Sequence, residues 1–79
     1  MKLTLDQIMG ELEDIAKNAG FPNELYFIRK NPGSVSIEFD AKEAVDYFKG
    51  DYENSALADN TYWEYRKNGK RHCAYIYPV

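Results

Sequence analysis

A single cysteine leaves no internal disulfide to form, and a reducing compartment is the expectation for such a chain. One histidine, His72, precedes that cysteine, Cys73, so the four or so Cys/His ligands of a structural zinc site are lacking. The two do not make a thiol–imidazole dyad either, because neighbours in a strand point to opposite faces. No apolar run approaches ~18 residues, which excludes a helical membrane span. The opening Met1-Lys2-Leu3-Thr4-Leu5 leads straight into an amphipathic pattern rather than a secretory signal. Also missing are a glycine loop for phosphate, a Gly-x-Ser-x-Gly elbow and the spacing of an EF-hand, which Asp51-Tyr-Glu-Asn-Ser matches only loosely. Asp40, Glu43 and Asp46 recur every three residues and could pair carboxylates, but each has a structural reading as a helix cap, its partner and a solvated helix residue. The expectation is a cytoplasmic protein that is not an enzyme, with no catalytic residue, metal or cofactor.

What is present is apolar and aromatic. Of the 79 residues, 44% are hydrophobic and 15% aromatic, enough to argue against disorder. A chain of this length makes one domain, residues 1–79, with a modest core. Seven tyrosines stand out. Tyrosine closes a core while keeping its hydroxyl wet, and it also suits binding surfaces because it offers large area with few torsions. The net charge of −3 is unevenly spread: residues 1–60 hold six cations and twelve acids, residues 61–79 four cations and one acid. The body repels nucleic acid and the C-terminal stretch attracts it.

In chain order, Thr4 with Gln7 has capping-box spacing, and Leu3 with Ile8 that of a hydrophobic staple. Leu5, Ile8, Leu12, Ile15, Ala16 and Ala19 form one stripe, and Gly20 before Phe21-Pro22 ends a helix over 5–18. Two strands follow, around Glu24–Lys30 and Val35–Phe39, joined through Pro32-Gly33 as a type II turn. The first is apolar on both faces, which suits a central strand covered by a loop or a partner. The second alternates and is expected to be buried on one side. Asp40 is read as the cap of a second helix over about 41–49, closed by Gly50, with Ala41, Ala44, Val45 and Phe48 as its stripe. A ten-residue connection, 51–60, is anchored by Leu57, on a short turn capped by Ser55.

The last nineteen residues carry the clearest signal. Asn68-Gly69 between two aromatic, β-branched runs predicts a hairpin with a type I′ turn. That register opposes Lys67 with Lys70, Arg66 with Arg71, Tyr65 with His72 and Trp63 with Ala74. Thr61, Trp63, Tyr65, His72, Ala74 and Ile76 then share the core face. Tyr62, Glu64, Arg66, Arg71, Cys73, Tyr75 and Tyr77 share the other. Like charges directly opposite one another oppose pairing, so the cationic tip is not explained by stability.

The order α-β-β-α-β-β predicts an α+β two-layer sandwich, a four-stranded antiparallel sheet with two helices on one face. The same order occurs in half-domains of LAGLIDADG homing endonucleases, but Leu5-Asp-Gln-Ile-Met-Gly-Glu-Leu-Glu13 lacks their motif and nothing is carried over. The favoured functional expectation is a small acidic protein-binding module, an inhibitor or regulator of a basic, nucleic-acid-handling protein. Tyr52, Tyr62, Tyr75 and Tyr77 would be its anchors and Arg66 and Arg71 its orienting contacts, with Lys67 and Lys70 beside them at the partner-binding tip, where in a nucleic-acid reading all four cations would contact phosphates. In type, though by no motif, this is similar to small phage-encoded inhibitors of bacterial defence and to toxin-immunity proteins. The alternative is nucleic-acid binding by the basic aromatic hairpin. Self-association as a homodimer is a third reading, and charges that merely protect a sheet edge a fourth.

Overall fold

The computed structural model describes residues 2–79. The first helix, α1, spans Leu5–Asn18 as its periodicity requires. The Thr4 hydroxyl accepts from the Gln7 amide at 3.1 Å, and the Gln7 side chain accepts from the Thr4 amide at 2.8 Å, completing the capping box. At the other end the Gly20 amide donates to the Lys17 carbonyl and the Phe21 amide to the Ala16 carbonyl, a Schellman motif. It needs a left-handed residue, and Gly20 has φ +85°.

Strands β1, Tyr26–Asn31, and β2, Ser34–Phe39, pair antiparallel across Pro32-Gly33, with Gly33 at φ +80° as a type II turn requires. A second helix, α2, runs Lys42–Glu53, and a 3₁₀ segment, Ala56–Asn60, leads into β3, Thr61–Asn68, and β4, Arg71–Pro78. The sheet order is β1-β2-β4-β3, all antiparallel, with both helices packed on one face.

Register sorts the side chains. Val35, Ile37 and Phe39 of β2 and Ala74 and Ile76 of β4 meet Ile8, Leu12 and Ala16 of α1 and Val45 and Phe48 of α2 in one core. The Phe39 and Phe48 rings lie 5.6 Å apart, and Phe48 stacks on Trp63 at 6.3 Å. Thr61, Trp63, Ala74 and Ile76 all take the core side, as the alternation requires.

Several expectations are corrected. β1 is an edge strand paired only with β2, and its second face, with Phe27 half exposed, is left open rather than covered. β2 is buried on both sides: Ser34 and Ser36 on its outer side are also buried, Ser36 lying between Arg29 and Tyr75 in register. Asp40 does not cap α2; the N-cap is Ala41 without a side-chain bond, and the Asp40 carboxylate accepts from Arg71 instead. Gly50 does not end the helix either. The stripe Val45, Phe48, Tyr52 continues at helical spacing, and burying Tyr52 carries α2 one turn further. Ser55 precedes the 3₁₀ segment, but its hydroxyl donates backward to the Tyr52 carbonyl at 2.7 Å. Leu57 anchors the connection as expected, at 2% exposure.

Candidate functional site

The hairpin β3–β4 turns one residue later than the Asn-Gly signal predicts. Asn68 pairs with Arg71, Lys67 with His72, Arg66 with Cys73 and Tyr65 with Ala74, so the loop is Gly69-Lys70. Gly69 has φ +60° and among the described residues no non-glycine residue has positive φ, which fits the glycine-first type II′ turn and not type I′. Electrostatics explains the choice. The Asn68-Gly69 loop would set Lys67 against Lys70 and Arg66 against Arg71, whereas the observed register opposes no two of these cations. The shift moves each partner by two residues, and two is the period of a strand, so every side chain keeps its predicted face.

The outer face of the sheet carries no helix. Across it run Phe27 and Arg29 of β1, Ser36 and Glu38 of β2, Cys73, Tyr75 and Tyr77 of β4, and Tyr62, Glu64 and Arg66 of β3. Tyr62 is 62% exposed and Phe27 50%. The groups between them are tied together. The Glu64 carboxylate accepts from the Tyr77 hydroxyl at 2.9 Å and from Arg66 at 3.1 Å. The Arg66 guanidinium lies 4.9 Å from the Tyr75 ring centre, Asn68 donates to the Tyr75 hydroxyl at 2.9 Å, and the Tyr62 and Tyr77 rings sit 6.2 Å apart. At the β1 edge Arg29 stacks on Phe27 at 5.2 Å.

These contacts set the ionisation of the face. The Tyr77 hydroxyl, and after it Arg66, hold the Glu64 carboxyl below its ordinary value. The same bond to Glu64 holds the Tyr77 phenol above its own, and Glu64 raises Arg66. Cys73 is fully buried, and burial, with Glu38 beside it, pushes its thiol up and away from nucleophilic use.

The four tip cations are thus not equivalent. Arg66 is engaged by Glu64, and Arg71 by Glu38 at 3.5 Å and by Asp40. Lys67 and Lys70 have no anionic partner among the described residues. Tyr62, Tyr75 and Tyr77 come together with Arg66 and Arg71 on the outer face. Tyr52 does not: it is 3% exposed on the helix side, with its hydroxyl 2.7 Å from that of Thr61, and burial raises its phenol. Phe27 and Arg29 belong to the outer face and went unassigned in the sequence, because only the strand order brings β1 into line with the hairpin. His72 lies on the core side, its Nδ1 bonded to the Tyr65 hydroxyl at 2.7 Å as a diagonal rather than direct neighbour. Among the described residues no three of His, Cys, Asp and Glu gather as metal ligands. Nor, among the described residues, is any helix long and apolar enough to cross a membrane.

No protein-family model matches the chain, and neither a curated protein nor a solved structure matches it.

Proposed function

We propose that this chain is a non-enzymatic protein-binding module that docks through the outer face of its sheet and so blocks or regulates its partner. The observation that carries the reading is the uncovered face itself. Exposed Tyr62 and Phe27 flank tyrosines and arginines already fixed by Glu64, Asn68 and Asp40, so little side-chain freedom is lost on docking. Aromatic rings and arginines are the residue types that dominate such contacts. The net charge of −3 favours a basic partner, the kind of surface that nucleic-acid-handling proteins present.

Nucleic-acid binding by the hairpin is the weaker reading. Both tip arginines are already paired with carboxylates, and the Tyr75 ring that a base would stack on is covered by Arg66. One comparison separates the two. Tagged protein and its Tyr62→Ala, Phe27→Ala double variant are used to capture partners from a lysate of the source organism, with and without nuclease. The proposal expects a stoichiometric protein that survives nuclease and is lost with the double variant. Capture that depends on nucleic acid, or is indifferent to Tyr62 and Phe27, refutes it.

A further inference from the structure

A second surface lies on the opposite layer. Between α1 and the 3₁₀ segment runs a groove of about 400 Å³ whose apolar lining is Leu3, Gly10, Ala56 and Leu57. Its rim on the α1 side is acidic: Asp6, Glu11 and Asp14 line it together with Gln7. Asp6, Gly10 and Asp14 follow one another at four-residue spacing and Gln7, Glu11 and Asp14 at four and three, so they form one stripe of the helix about 12 Å long between Asp6 and Asp14.

Two features mark this stripe. Glu11 and Asp14 have no cationic partner among the described residues, whereas Glu13 is paired with Lys17 and Asp6 with Lys30. Gly10 sits in the middle of α1, where glycine is unfavourable relative to alanine, yet a Cβ there would meet nothing within 4 Å and its φ is ordinary. Neither packing nor backbone conformation requires a glycine. What its missing side chain does is leave the lining of the groove open between Asp6 and Asp14.

The geometry points to this groove as the docking site for a basic amphipathic helix of another protein. Its apolar residues would lie on Leu3, Gly10 and Leu57, with lysines or arginines meeting Glu11 and Asp14. Charge complementarity chooses the occupant. Three acids and no cation line it, and a helix laid beside α1 suits a groove that runs along that helix. This site is independent of the outer sheet face, since the two lie on opposite layers.

The test uses the full chain and a synthetic Leu/Lys amphipathic helical peptide, with a Leu/Glu peptide of the same pattern as control. Amide shifts and fluorescence anisotropy are followed. The expected result is saturable binding of the lysine peptide, with shifts centred on residues 3–14 and 56–60. Gly10→Met fills the groove and should weaken binding at least about tenfold, as should the double reversal Glu11→Lys, Asp14→Lys. Methionine is the better helix former, so Gly10→Met should melt no lower than wild type, which separates loss of the groove from loss of the fold. Equal binding to Gly10→Met, equal binding of the Leu/Glu peptide, shifts mapped to Tyr62 and Tyr77, or no binding overturns the proposal. So does self-association of the chain that Gly10→Met abolishes, because a second copy is then the occupant.

Discussion

Removing the Tyr52 side chain should strongly destabilise the fold rather than trim an interface. Thr61 Oγ1 donates to the Leu57 carbonyl at 2.7 Å, which uses its only proton, so the Tyr52 hydroxyl must donate to Thr61 Oγ1. That chain of two bonds joins the end of α2, the 3₁₀ segment and the start of β3, while the Tyr52 ring packs 4.9 Å from Trp63. Tyr52→Phe deletes one donor and leaves Thr61 bonded to Leu57, so the cost is that of one net hydrogen bond, about 1 kcal/mol. In a domain of this size that lowers the Tm by roughly 4–8 °C. Tyr52→Ala also empties the ring's volume, as large aromatic-to-alanine changes do at about 3–5 kcal/mol. Against a total stability of about 5–15 kcal/mol, that removes much of what holds the fold. Thermal melts followed by far-UV circular dichroism, together with urea titration, give both numbers. A Tyr52→Ala protein that melts within about 3 °C of wild type would refute the placement, since only an exposed side chain is lost so cheaply.

Three further outcomes follow from the same geometry. Gly69→Ala should destabilise by about 1 kcal/mol because it forces a left-handed φ on alanine, whereas Lys70→Ala should be nearly neutral by urea titration; a larger loss at Lys70 would contradict the Gly69-Lys70 loop. Because the Glu64 carboxyl is held below its ordinary value of 4.5 in the folded state, it contributes stability above that pH and loses it as pH falls below. The stability gap between wild type and Glu64→Gln should therefore shrink as urea melts are taken from pH 7 towards pH 3, and a constant gap would count against the Tyr77–Glu64–Arg66 network. Cys73, buried and with its thiol raised, should react with a thiol reagent such as Ellman's only as the protein unfolds, at a rate that tracks urea concentration; prompt labelling of the native protein would contradict its burial.

Legibility in the sequence followed the range of the interactions. The capping box, the end of α1 at Gly20, the Pro-Gly turn and the two faces of the last hairpin are fixed by residues within a few positions of each other, and all were readable. The exact turn was not, because Asn-Gly is a strong local preference and the repulsion between Arg66 and Arg71 that displaces it depends on register. The length of α2 was misjudged because Gly50 is a local stop signal, overridden by the burial of Tyr52 beyond it. Asp40 had an equally good local role as a cap, and lost it to Arg71, 31 residues away. The candidate site suffered most from such distant contacts. Four cations close in sequence looked like a field of positive charge, and two of them are balanced by Glu38, Asp40 and Glu64 once the sheet forms.

Charge and aromatic area end up on different layers, and salt should tell them apart. Asp6, Glu11 and Asp14 of α1 line the groove, while the hairpin pairs Arg66 and Arg71 with carboxylates and leaves only Lys67 and Lys70 uncommitted at the tip. The molecule measures 34 × 25 × 17 Å, so even its shortest dimension exceeds the Debye length of ~8 Å at physiological ionic strength. The acids of the helix layer therefore steer a basic partner from a distance only at low salt, and add little at the sheet face on contact. For a protein docked on that face, raising salt from about 0.05 to 0.5 M should slow association while leaving dissociation nearly unchanged. Phosphate recognition by the tip would instead lose affinity steeply over the same range, as released counterions demand. A basic helix in the α1 groove should also weaken with salt, because Glu11 and Asp14 are its partners there. Measured association and dissociation rates across that range thus assign a captured partner to one surface before any complex is solved. Salt-invariant association of a basic partner would refute the steering argument.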